Sequence, residues 1–138
     1  MNEANQTRSQ RWFLEGWNER NLATVDELLD DDCAGHMESG DVNGVDAFKA
    51  ARADILAMFP DLTFTVEDMV SDADDVVIRW RATGTHAGDG HGLKATRKPV
   101  TFSGITWHRY RDGKLVEGWD AWNQGGLMMQ LQQASATS

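Results

Sequence analysis

The stretch Asp112-Gly-Lys-Leu-Val-Glu-Gly-Trp-Asp-Ala-Trp-Asn-Gln-Gly-Gly-Leu-Met-Met-Gln-Leu131 decides how the rest of the chain is read. Asp112-Gly113 is a hairpin signal, because both central residues of a tight turn need positive φ. Leu115 to Trp122 follows with aliphatic and aromatic residues of strand type. Asp120 and Asn123 stand at its end, and Gly125-Gly126 then separates strand from a short closing helix around Leu127, Met128 and Leu131. Polar groups among tryptophans at a strand end are the composition of a small-molecule pocket.

Working outward, the preceding chain supplies three more strands. Leu62, Phe64, Val66 and Val70 alternate with Thr63, Thr65 and Glu67, a half-buried strand. After a turn at residues 72–75, residues 76–86 place Ile78, Trp80 and Ala82 on one face and Arg79, Arg81, Thr83 and Thr85 on the other. A loop from Gly84 to Pro99 holds four glycines and two histidines. It lacks the Gly-Lys-Ser/Thr ending of a phosphate loop and does not lead into a helix; it reads as a lid or as a plain connection. Residues 100–110 form the third strand, and Leu115–Trp122 the fourth.

Further upstream the period becomes helical. Trp12, Phe13 and Trp17 mark a helix over 9–20. Thr24 with Glu27 makes a capping box for a second, short helix, and Asp30-Asp31-Asp32 reads as its solvated end. Residues 33–38 read as a short strand or extended link. Val45, Phe48, Ile55, Leu56 and Phe59 define a third helix that stops at Pro60. Residues 1–8 and 134–138 are polar and are expected to fray. The whole is one α+β domain over 1–138, with its ordered core at 9–132. It is a cone-shaped curved antiparallel sheet, with three N-terminal helices on its concave face and a short C-terminal helix.

The bulk properties narrow the function classes. The chain has 138 residues and a net charge of −9. That charge disfavours nucleic acid and anionic membrane, both of which demand a positive face. Cys33 is the only cysteine, so no internal disulfide forms. No segment has the apolar length of a membrane span and the N-terminus lacks a signal-peptide pattern, so a cytoplasmic location is expected. The histidines, His36, His86, His91 and His108, form no metal-ligand spacing, and no metal site is expected.

Four segments then carry a family resemblance. Phe59-Pro-Asp-Leu-Thr-Phe-Thr-Val-Glu-Asp68, Val77-Ile-Arg-Trp80, Ala82-Thr-Gly-Thr-His86 with Gly88, and Asp112-Gly-Lys-Leu-Val-Glu-Gly-Trp119 occur in order. Together they resemble the SnoaL-like polyketide cyclase family, part of the superfamily that includes ketosteroid isomerase, scytalone dehydratase, limonene epoxide hydrolase and nuclear transport factor two. The resemblance implies a cone with an interior apolar pocket and a homodimer formed through the sheet. It also implies aldol-type ring closure without metal or organic cofactor, run by a carboxylate in an apolar pocket. In that family the last strand reads Glu-x-Trp-x-x-x-Asp. Here Glu117 and Trp119 match, while Asn123 takes the place of the acid.

Asn123 therefore has two readings, a pocket residue that orients a carbonyl or the cap of the last helix. Strand parity groups Glu117 and Trp119 with Asn123 and turns Asp120 the other way, unless a β-bulge intervenes. Glu117 is either a pocket carboxylate or the partner of Arg79, Arg81 or Arg109. His108, across the hairpin, is the first substitute for a proton-transfer base, followed by His36 and His86; each is otherwise a hydrogen-bonded structural residue. His91 is expected to be exposed. Trp17, Trp80, His86, Phe102 and Trp119 are expected to meet a substrate, and Trp107 and Trp122 to face a dimer partner. Two functions follow. One is a cofactor-free cyclase- or isomerase-type enzyme for a polyketide-like or other apolar carbonyl compound. The other is a binding protein that has lost its acid at Asn123. An epoxide hydrolase-like variant would draw its arginine from Arg79.

Overall fold

The computed structural model describes residues 3–37, 40–90 and 92–137. The expectations for His91 and for Glu38 lie outside the described residues. Helix α1 (Glu3–Arg11) continues into a π-helical segment (Trp12–Asn18), followed by α2 (Leu22–Leu28), strands β1 (Leu29–Met37) and β2 (Gly40–Asn43), and α3 (Val45–Met58). Strands β3 (Thr63–Asp72), β4 (Asp75–Thr85), β5 (Pro99–Arg111) and β6 (Lys114–Trp122) come next, and α4 (Gln124–Thr137) closes the chain. The six strands form one curved sheet in the order β2-β1-β6-β5-β4-β3.

All neighbours are antiparallel except β1 and β6, which run parallel. This corrects the purely antiparallel expectation. The parallel pair arises because residues 29–37, read from sequence as an acidic helix end and a link, are strand throughout. Asp30, Asp31 and Asp32 lie along it between the buried Leu29 and the buried Cys33. The short strand β2, unforeseen in the sequence, pairs with β1 at the sheet edge.

Hairpins fix the rest of the register. Asp112 and Gly113 have φ of 51° and 77°, which suits a two-residue turn with both central residues at positive φ. Alternation along β4 and β5 buries Ile78, Trp80, Ala82, Phe102, Thr106, His108 and Tyr110 on the concave face. Helix α3 starts after Gly44 and ends before Pro60, as its spacing predicts. The α2 cap is Asn21, whose side chain accepts from Ala23 N, not Thr24. Thr24 is buried and donates to Glu15 Oε1 instead.

The first helix does more than the sequence suggests. It begins at Glu3, and its Asn5 and Ser9 are buried, so one face of this helix is packed. Its π-helical turn brings Trp12, Phe13, Gly16 and Trp17 all inward. The wider turn leaves the Gly16 carbonyl to a side chain: Arg52, itself buried, donates to it from Nε (3.2 Å) and Nη2 (2.7 Å). π-helical insertions of this kind recur at functional sites. The core lies between these aromatics and the sheet, with Phe13 and Trp17 against Phe64 and Phe13 against Trp80.

Candidate functional site

A cavity of about 340 Å³ opens between the concave sheet face and the helices. Its walls are aromatic: Trp12, Phe13 and Trp17 from the first helix, Trp80 and Phe102 from the sheet, and Trp122 at the end of β6. Residues of β1, α3 and α4 add to the lining, mostly aliphatic but with Asp54 and Gln124 among them. Three polar side chains project from adjacent strands into this surface: Thr106 and His108 from β5, and Asp120 from β6. Thr106 sits directly opposite Asp120, and His108 opposite Gly118.

A directed chain of hydrogen bonds runs across the sheet here. Trp80 Nε1 donates to Thr106 Oγ1 (2.8 Å), and Thr106 Oγ1 donates to Asp120 Oδ1 (2.6 Å). The indole nitrogen is donor-only, so it occupies the hydroxyl oxygen and leaves the hydroxyl proton for the carboxylate. Thr106 and Trp80 are buried and Asp120 is half-buried. The result is a carboxylate held in a fixed orientation in an aromatic cavity.

Strand parity alone turns Asp120 away from this face, whereas the structure turns it inward. The correction comes from one residue. Along the β5–β6 ladder Arg109 faces Glu117, but Tyr110 faces Leu115. Val116 is therefore an extra residue, a β-bulge, and it inverts the alternation beyond it. Leu115 points inward, and after the bulge Gly118, Asp120 and Trp122 do so, while Glu117, Trp119 and Ala121 point out.

The same inversion moves two tryptophans. Trp119, expected to meet substrate, lies half-buried on the convex face against Trp107 (5.9 Å between ring centroids) and His36 (5.4 Å), with Arg109 above it. Trp122, expected at a dimer interface, lines the cavity against Phe102. Trp107 is 43% exposed on the convex side, as parity predicts.

The other candidates separate clearly. Trp17, Trp80 and Phe102 line the cavity. Asn123 is a cap: its Oδ1 accepts from Gly126 N (3.0 Å) and its carbonyl from Leu127 N, so its side chain serves α4 and lies outside the lining. His36 is on the convex face, with Nε2 2.8 Å from Glu117 and Nδ1 3.0 Å from Asp41; these two carboxylates raise its pKa above the ordinary value. Glu117 borders the cavity, but its carboxylate binds His36 and lies 3.9 Å from Arg109. His86 is fully buried beside Phe59 and receives Thr96 N on Nδ1; it does not line the cavity. Arg79 pairs with Glu67 on the convex face, so the epoxide-opening variant loses its arginine.

His108 does reach the cavity. Its ring is buried between Trp12 and Phe13, and burial pushes its pKa down to about 3. It is a neutral imidazole near neutral pH, a polar group of the wall with little basicity. Nδ1 lies 2.9 Å from Ser9 Oγ, which in turn lies 2.8 Å from Tyr110 Oη. Among the described residues, no cluster of three or more His, Cys, Asp or Glu side chains is placed to hold a metal ion. No helix among them is long and apolar enough to cross a membrane.

A cone of helices and curved sheet around an apolar cavity places the chain in the class of α+β folds shared with nuclear transport factor two. The family model for SnoaL-like polyketide cyclase matches residues 7–131, and the chain belongs to that family. Among solved structures, a "putative SnoaL-like polyketide cyclase" from Jannaschia sp. CCS1 superposes with a TM-score of 0.88 at 23% identity, covering 94% of this chain and 92% of that one. IdmH, a "putative polyketide cyclase" from Streptomyces antibioticus, gives 0.82 at 28% identity, with 92% and 97% covered. AclR, a "putative hydroxylase" from Streptomyces galilaeus, gives 0.81 at 27%, with 93% and 80% covered. The first of these likenesses supports the fold alone. No curated protein matches the chain.

Proposed function

We propose that this protein is a cofactor-free acid/base enzyme of the polyketide cyclase type, acting on an apolar, polyketide-like carbonyl compound, with Asp120 as the proton-transfer group. The observation that carries this reading is the Trp80–Thr106–Asp120 chain in an aromatic cavity. A carboxylate held in a fixed orientation inside an apolar pocket favours one position of the substrate. In the reaction Asp120 takes a proton from the carbon beside a carbonyl. The enolate attacks a second carbonyl of the same molecule, forming a carbon–carbon bond. The carboxyl group then returns the proton to the new alkoxide, so the carboxylate is regenerated. The alternative, a binding protein without an acid, turns on Asn123; the inward carboxylate of Asp120 supports the enzyme reading over it.

The test is deuterium incorporation beside the carbonyl of bound aryl methyl ketones and β-keto esters in D₂O, followed by NMR. Wild type is expected to accelerate exchange, and Asp120→Asn to lose about 10²–10⁴-fold of that acceleration. Equal exchange by the two proteins would remove Asp120 from the reaction. The proposal extends to a homodimer. Ile105, Trp107 and Val70 are exposed apolar side chains of the sheet strands, and a second copy of the chain would cover them. Sedimentation at micromolar concentration showing only a species of monomer mass would refute the dimer.

A further inference from the structure

We propose that His108 is the carbonyl anchor of the cavity, an imidazole locked in one tautomer with its Nε2–H presented to a ligand's carbonyl oxygen, and that Ser9 and Tyr110 are the positioning residues that lock it. The inference rests on the reading of the cavity as a site for a carbonyl compound, and it assigns the part of that site which receives the oxygen.

The argument is one of proton counting along Tyr110–Ser9–His108. Ser9 Oγ is the sole hydrogen-bond partner of the buried Tyr110 hydroxyl among the described residues. Burial also pushes the phenol's pKa above its ordinary range, so the phenol keeps its proton. Three arrangements are available. If His108 Nδ1 carried the proton and donated to Ser9, then Ser9 would donate to Tyr110. The Tyr110 O–H and the bare Nε2 would both lack partners. If Tyr110 and His108 both donated to Ser9, the Ser9 O–H and Nε2 would lack them. If Tyr110 donates to Ser9 and Ser9 donates to Nδ1, every group in the chain is matched except one, the Nε2–H. Buried polar groups are paired wherever geometry allows, so the third arrangement is selected.

The unmatched group is where a ligand can reach it. The ring lines the cavity, and its Nδ1 edge faces α1, so the opposite edge carrying Nε2 and Cδ2 turns away from Ser9. On that edge β6 has Gly118, and a Cβ there would lie 3.6 Å from His108 Cδ2. The strand thus places no side chain over the ring at this point. Nε2 has no protein partner among the described residues, yet it is not sealed from solvent space as His86 Nε2 is.

The ligand class follows from the rest of the lining. It contains Asp54, Glu117 and Asp120 but no lysine or arginine. An uncharged N–H donor in a cavity whose ionisable lining is otherwise carboxylate suits the oxygen of a ketone, ester or amide and disfavours a free carboxylate. Asp120 is two residues along β6 from Gly118, and its pair with Thr106 is the next one on the same sheet face after the His108–Gly118 pair. The donor and the carboxylate thus project from neighbouring positions of one sheet face, the arrangement needed to hold a carbonyl while a proton is taken beside it.

The test has a spectroscopic arm and a binding arm. In ¹⁵N NMR of histidine-labelled wild type, His108 is expected to show a protonated Nε2 and a bare Nδ1; the reverse pattern overturns the proposal. Ser9→Ala is expected to release the lock and give a mixture of tautomers. An unchanged ring in that variant would remove Ser9 as a positioning residue. In the binding arm, 2-acetylnaphthalene is expected to bind wild type about tenfold more tightly than its hydrocarbon isostere 2-isopropylnaphthalene, the gain expected of one hydrogen bond to a buried donor. In His108→Phe that ratio is expected to fall to about one while the hydrocarbon affinity holds. A ratio near one in wild type, or the full ratio kept in His108→Phe, overturns it. Asp120→Asn should keep the ketone preference while losing deuterium exchange, so failure of the anchor and failure of the acid/base reading give different results.

Discussion

Replacing Thr106 with valine tests the centre of the site with little change of shape. Valine fills the threonine volume but removes the hydroxyl that both accepts from Trp80 Nε1 at 2.8 Å and donates to Asp120 Oδ1 at 2.6 Å. Trp80 is 4% exposed, so its indole N–H would be left without a partner and beyond the reach of water. A buried unmatched donor costs about 1–3 kcal/mol, and the lost bond to an ionised carboxylate adds a term that water at the half-buried Asp120 replaces in part. The sum is roughly 2–4 kcal/mol of unfolding free energy. Thr106→Ser is the control, since it keeps both bonds and loses one methyl group, about 1 kcal/mol. The measurement is urea denaturation at pH 7, comparing midpoints at equal slope. If the valine variant is as stable as the serine variant, the Trp80–Thr106–Asp120 chain does not exist as described, and the orientation of Asp120 loses its basis.

Two histidines give pH dependences of opposite sign. His108 is depressed to about 3 by burial, so between pH 6.5 and 3 the unfolded chain binds the proton that the folded chain refuses. Stability should therefore fall as pH falls across that window, by at most about 5 kcal/mol, and His108→Phe should flatten the acid limb of a denaturation profile. His36 is raised by Glu117 and Asp41, so its contribution is fully present below its unfolded pKa and is lost as pH rises through its folded one. Wild type should lose more stability than His36→Gln from about pH 6.5 upward in the same measurement. At Gly104 a Cβ would lie 2.4 Å from Trp122 Cβ and 2.7 Å from Trp80 Cζ2. Gly104→Ala should destabilise by about 1–3 kcal/mol and weaken ligand binding by displacing both cavity tryptophans, read by calorimetry and tryptophan fluorescence.

Periodicity made most of the fold legible. Alternation in β4 and β5 survives unbroken over long strands, so the inward set Ile78, Trp80, Ala82, Phe102, Thr106 and His108 could be read directly. Helix α3 is bracketed by Gly44 and Pro60. What escaped was structure whose local composition argues against it. Residues 30–32 are three consecutive aspartates, a pattern of solvated turns, yet they are strand because β1 sits near the sheet edge with those side chains in or near solvent. Strand propensity follows the surface a residue faces more than its own identity. Residues 3–8 looked like a polar tail, but Gln6 bonds to Ser71 and Ser9 to the His108–Tyr110 pair, so tertiary partners hold that helix in place.

The site was misread for a sharper reason. Parity is a rule carried from one end of a strand to the other, and a single inserted residue reverses everything beyond it. Counting from Leu115 placed Trp119 inside and Asp120 outside; the bulge at Val116 exchanges them. Yet the correction had a trace in the sequence. His108 and Thr106 belong to the inward set of β5, and an antiparallel partner must present inward residues opposite them. Counting back from the turn at Asp112-Gly113 pairs Tyr110 with Leu115 if the hairpin is regular, which would put Glu117 opposite His108 and Trp119 opposite Thr106. The first would set an acid in the aromatic core beside a buried imidazole; the second would set an indole across from a threonine already bonded to Trp80. Shifting by one residue instead sets Gly118 against His108 and Asp120 against Thr106, giving space to the ring and an acceptor to the hydroxyl. The choice between registers is thus one of chemistry at the facing positions. Testing parity against the partner strand, and not along one strand alone, is what finds Asp120.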